Sequence, residues 1–125
     1  MDNKILQNVF DLIQPLLPDK WNKVILYVGY TSGSYSMKFY IGDEKTNYTD
    51  CFSLKSIGKA QLIKLFMSID KIIAQERNKL EEKDKWSVLT LTVDKNGKMK
   101  ADFDYTDISE NSIEYERKWK DKYLK

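Results

Sequence analysis

Apolar positions in this chain recur first at helical spacing, then at every second residue, then at helical spacing again. Ile5, Val9, Leu12 and Ile13 mark one face of a first helix, with Asp2 or Asn3 available to cap its start. Pro15 ends or bends that helix, and Pro18 follows on the way out. Trp21 to Tyr30 is a run of β-branched and aromatic residues, and Thr31-Gly33-Ser34 supplies a turn. Tyr35, Met37, Phe39 and Ile41 then alternate with Ser36, Lys38 and Tyr40, the pattern of a strand with one wet face. Gly42 to Asn47 is a polar loop, and Tyr48 to Leu54 a shorter strand.

From Ile57 to Lys83 the period returns to 3.6, with Leu62, Leu65, Phe66, Ile69, Ile72 and Ile73 on one stripe. The last turns of this helix, Gln75 to Asp84, are polar except for Leu80 and are expected to project beyond the core. Trp86 to Tyr105 reads as a β-hairpin, because Asp94-Lys95-Asn96-Gly97 accepts the positive φ of a tight turn. A final helix spans Asn111 to Leu124, where Asn111 with Glu114 three residues on has the spacing of a capping box. The order α-β-β-β-α-β-β-α predicts an α+β fold: a single domain over residues 1–125, with a five-stranded, mainly antiparallel sheet and its helices packed on one face.

Composition narrows the chemistry. There is no histidine among the 125 residues, which removes the commonest general base, the commonest metal ligand and every histidine-dependent nucleophile. Cys51 is the one cysteine, so no intrachain disulfide forms, as expected in a reducing compartment. It reads as a buried thiol acting as a small apolar group. The N-terminus lacks a secretory signal pattern and no apolar run is long enough to cross a bilayer, so the expected location is the cytoplasm. Gly29 to Gly33 and Gly58-Lys59-Ala60 both fail as phosphate loops. No cofactor, metal site or catalytic residue is assigned, and an enzyme is not expected.

Charge is unevenly placed. The chain carries a formal net charge of +2, yet no basic residue lies between Asp102 and Glu116, a stretch bounded by or containing Asp102, Asp104, Asp107, Glu110, Glu114 and Glu116. Asp102 and Asp104 share one face of a strand, opposite Met99, Ala101, Phe103 and Tyr105. Glu114–Lys118 and Glu116–Lys120 are helical i,i+4 pairs, whereas Asp102, Asp104 and Asp107 have no partner nearby in sequence. They do not match a calcium-loop spacing. Tyr115, Trp119 and Tyr123 form a helical stripe that either packs onto the sheet or anchors a partner. A second reading comes from Tyr27, Tyr30, Tyr35, Tyr40 and Tyr48 with Lys38 and Lys45. Aromatics and lysines interleaved on a sheet can stack single-stranded nucleic acid, although a pI of 8.5 is low for that role.

Four stretches carry a family likeness: Leu17-Pro18-Asp19-Lys20-Trp21; Trp86 with Leu89-Thr90-Leu91-Thr92-Val93; Gly97-Lys98 leading to Asp102-Phe103-Asp104-Tyr105-Thr106-Asp107; and Glu116-Arg117 with Trp119-Lys120-Asp121-Lys122-Tyr123-Leu124. Over nearly its whole length the chain resembles the YezG-like immunity proteins, which include staphylococcal antitoxins against secreted nuclease toxins. The resemblance implies a cytoplasmic antitoxin that binds the C-terminal domain of a toxin exported by type VII secretion, often a DNase. On the residues themselves, Asp102, Asp104 and Asp107 are the expected charge-complementary contacts, with Tyr105 and Trp119 as anchors at their edge.

Overall fold

The computed structural model describes residues 1–45 and 47–124; Thr46, within the polar loop expected at 42–47, and Lys125 lie outside the described residues. Helix α1 is Asn3–Ile13, and the Asp2 carboxylate accepts the Ile5 amide at 3.0 Å to cap it. Pro15 sits in a 3-10 turn, Gln14–Leu16, that closes the helix. Strands β1 (Lys23–Thr31), β2 (Ser34–Gly42) and β3 (Tyr48–Asp50) follow, then α2 (Lys59–Asn78), β4 (Val88–Asp94), β5 (Met99–Asp104) and α3 (Ser112–Tyr123). Both hairpin tips place glycine at positive φ, Gly33 at 96° and Gly97 at 86°. The Asp94 carboxylate holds the second tip by accepting the Asn96 and Lys98 amides.

The five strands lie in the order β3-β2-β1-β4-β5, and every neighbouring pair is antiparallel. Central β1 is buried on both sides. Val24, Leu26 and Val28 meet α1 and α2 through Val9, Ile13, Leu62 and Ile69. Ile25 and Tyr27 point the other way, into a second cluster with Tyr40, Val88, Ile108 and Trp119. The helices therefore cover both faces of the sheet, α1 and α2 on one and α3 on the other, not one face as the sequence pattern suggested. The physical reason lies in the tyrosines. Tyr27 and Tyr40 look amphipathic in sequence but turn an apolar ring face toward α3, so the face of β2 expected to be wet is closed at Tyr40.

Three boundaries also differ. The strand at Tyr48 stops at Asp50, whose carboxylate accepts the Phe52 amide at 2.8 Å and turns the chain into a 3-10 turn. Helix α2 ends at Asn78, and its last turn does not project freely. The Arg77 Nε donates to the Trp86 carbonyl at 2.7 Å while its guanidinium lies 4.9 Å from the Tyr30 ring centre and 5.6 Å from that of Trp86. The expected capping box at α3 is not made: the Asn111 side chain makes no capping bond, and Glu114 instead pairs with Arg117 at 2.7 Å. Cys51 is fully buried, and that burial pushes its thiol up to about 11, consistent with an inert apolar role.

Candidate partner-binding surface

Helix α3 is fastened to the sheet by its aromatic stripe. Trp119 packs edge-on against Tyr27 at 5.2 Å between ring centres, beside Tyr40 and Tyr123, and its indole nitrogen donates to Thr90 Oγ1 at 2.8 Å. Only 4% of Trp119 is exposed, so it lies in the core beneath the surface and not at the surface as the expected anchor. The same helix reaches β5 through two hydroxyls. Tyr115 donates to Asp104 Oδ2 at 2.6 Å, and Tyr123 donates to Asp102 Oδ2 at 3.0 Å.

Those bonds revise the picture of three unpartnered aspartates. Asp102 and Asp104 wall a groove of about 830 Å³ between β5 and α3, whose other charged residues are Lys100, Lys118 and Lys122. The groove is mixed in charge rather than acidic. Asp104 also accepts the backbone amide and the hydroxyl of Thr106, at 2.9 and 2.8 Å. Asp107 accepts the amide and hydroxyl of Ser109, at 3.0 and 2.7 Å. Both aspartates therefore brace the chain between β5 and α3 as successive Asx turns.

That connection, residues 105–111, is also pinned from inside. Ile108 is buried in the cluster beneath α3, while Tyr105, Asp107 and Glu110 face outward. Tyr105 is 62% exposed, and Ile113 at the start of α3 is 86% exposed. Tyr105 lies beside Phe103 and Trp86 at a cavity that Glu76, Lys79 and Leu80 also line, while Asp107 and Glu110 are exposed along the turn and Ile113 just beyond it. Ile113 was missed in the sequence, although a signal for it exists: it lies two residues from Tyr115, about 200° around the helix from the packing stripe. Glu114 is paired with Arg117 and, at 3.9 Å, Lys118; Glu116 accepts a 3.5 Å bond from Ser36 rather than an ion pair from Lys120 among the described contacts. Exposed pairs of this kind contribute little to stability.

The base-stacking platform does not form. Tyr27 and Tyr40 lie beneath Trp119, and burial pushes the Tyr40 hydroxyl up to about 12. Tyr30 turns to the other side of the sheet and donates to Asp70 at 2.6 Å. Among the described residues, no three acidic or cysteine side chains are grouped so as to hold a metal ion.

The braces have a pH signature. Burial disfavours the charged form of Asp104, but donation from Tyr115 and then from Thr106 outweighs it, holding the carboxyl below its ordinary value. The Ser109 hydroxyl, then its amide, does the same for Asp107. A carboxyl depressed by folding adds stability above its unfolded pKa, about 3.9, and loses it as the pH falls through the lower folded value. Stability to urea is therefore expected to drop as the pH falls below about 4, and Asp104→Asn is expected to flatten that slope.

The fold therefore carries, between β5 and α3, a turn braced by Asp104 and Asp107 with its outer side chains exposed. The chain belongs to the YezG-like immunity protein family, whose model matches residues 3–125. It is also similar to the immunity protein YezG of Bacillus subtilis (strain 168), with 27% identity over 125 residues spanning 90% of this chain and 82% of that protein. Family membership supports an immunity role.

Proposed function

We propose that this chain is a cytoplasmic antitoxin, one immunity domain over residues 1–125, that neutralises a cognate secreted nuclease by stoichiometric binding. The observation that carries the reading is the braced turn after β5, where Asp107 and Glu110 are exposed between Tyr105 at its start and Ile113 just beyond its end. A nuclease holds phosphates with cationic groups, so a rigid anionic surface competes for the region that its substrate uses. Asp107 and Tyr105 are the leading contacts. Asp102 and Asp104 contribute charge from the groove wall while holding α3, and Trp119 supports the surface from beneath. Bracing matters because an ordered turn loses little further entropy on binding. Export of the toxin by type VII secretion, and DNase chemistry in particular, follow from the resemblance to the staphylococcal antitoxins. No feature of the tyrosine-rich sheet favours nucleic acid as the partner.

The test is to tag the chain, recover it from its own cells after nuclease treatment, and identify what accompanies it. An equimolar protein with a nuclease C-terminal domain is the expected companion. A companion that disappears with the nuclease treatment, leaving the chain alone, would overturn the proposal.

A further inference from the structure

Strand β5 forms one margin of the sheet, and a free margin exposes a row of backbone donors and acceptors. The opposite margin, β3, is only three residues long. Strand β5 has six residues, no proline, and an unbroken register with β4 from Val88–Asp104 to Val93–Met99. The Asp94 amide donates to the Lys98 carbonyl at 3.0 Å, so that pair is a hydrogen-bonded one. Alternation along the ladder then turns the backbone groups of Lys100 and Asp102 toward β4, and those of Met99, Ala101 and Phe103 outward.

The side chains along this margin follow a rule of their own. Lys98, Lys100, Asp102 and Asp104 share one side of the strand, two cations followed by two anions. Met99, Ala101 and Phe103 share the other, half-buried at the rim of the larger core. We propose that the outer margin of β5 pairs antiparallel with the same margin of a second copy, about a two-fold axis through Ala101. In that register Lys100 faces Asp102 of the second copy, Lys98 faces its Asp104, and Met99 faces its Phe103.

Three features select this register. The outward backbone groups of Met99, Ala101 and Phe103 meet one another, so the hydrogen-bond alternation is kept. Every charge opposes its opposite, in the non-hydrogen-bonded pairs where side chains approach most closely. A shift by two residues either way sets Asp102 against Asp102 or Lys100 against Lys100. The contact is isologous, as a two-fold dimer requires, and it covers the half-buried apolar rim. Lys118 and Lys122, which line the groove beside β5, add cations near the incoming aspartates. The bonds of Tyr123 to Asp102 and Tyr115 to Asp104 persist, since a carboxylate accepts several donors.

Sedimentation of the full chain at low salt, from low to high micromolar concentration, tests this. A monomer–dimer equilibrium is expected. Lys100→Asp or Asp102→Lys alone should weaken it about tenfold or more, because each substitution sets like charges opposite one another twice per dimer. The double exchange Lys100→Asp with Asp102→Lys should restore it. Ala101→Pro removes an outward donor without touching the inner ladder and should abolish the dimer, with circular dichroism confirming that each variant folds. A monomer at every concentration would overturn the proposal. So would a dimer indifferent to both charge reversals and to Ala101→Pro, or a β5 margin whose amides become protected from exchange only in complex with the toxin.

Discussion

Replacing Trp119 by alanine is expected to cost about 3–5 kcal/mol of folding stability, the range for removing a large buried aromatic. Trp119 is the centre of the second core, in contact with the rings of Tyr27, Tyr40 and Tyr123, and its indole hydrogen bond to Thr90 is buried. Losing it empties the space beneath α3 and leaves Thr90 Oγ1 without its donor. The Tyr27 hydroxyl is already buried without a hydrogen-bond partner among the described residues, so the substitution adds a second unsatisfied group to the same core. Urea unfolding monitored by circular dichroism measures the loss. Trp119→Phe is expected to cost less, because it keeps one aromatic ring in the core while giving up the indole donor and part of the packed volume. A fall below about 1 kcal/mol for Trp119→Ala would mean that α3 is only loosely held, and the account of a supported surface would fail with it.

The second large effect falls on binding. Tyr105→Ala combined with Asp107→Asn is expected to raise the dissociation constant for the toxin about thirtyfold, equivalent to about 2 kcal/mol, while leaving the unfolding midpoint nearly unchanged. Tyr105 is largely exposed in the free protein, so its removal opens no cavity. Asparagine retains the oxygen that accepts the Ser109 amide, so the turn keeps its brace and loses only its charge. Affinity should also depend less on salt in the variant, since one carboxylate no longer meets a cation. An affinity within twofold of the wild type would remove the turn from the interface while leaving the family's immunity role intact.

Much of this architecture is legible in the sequence because its signals are local. The Asn-Gly turn places β4 against β5, and the Tyr115-Trp119-Tyr123 spacing identifies the packing face of α3. The side of the sheet on which α3 lands is not legible, because periodicity separates the two faces of a strand without saying what covers each. Tyr27 and Tyr40 illustrate the difficulty: their hydroxyls read as polar, yet their rings build the second core. The aspartates fail for a different reason. Asp104 finds Tyr115 eleven residues away and Asp102 finds Tyr123 twenty-one residues away, across a turn whose path only the fold defines. Asp104 therefore reads as free in sequence when a tyrosine hydroxyl holds it, and Asp102 is held by Tyr123 and also lies 4.0 Å from Lys100, two residues away. The exposure of Ile113 was legible in principle, since it falls outside the aromatic stripe of its own helix.

The most direct test of the central claim is to titrate the nuclease activity of the recovered toxin with the purified chain. The account predicts a linear fall to zero activity at equimolar antitoxin, with a shallower, incomplete titration for the Tyr105→Ala/Asp107→Asn variant. Full nuclease activity in the presence of excess folded chain would contradict it.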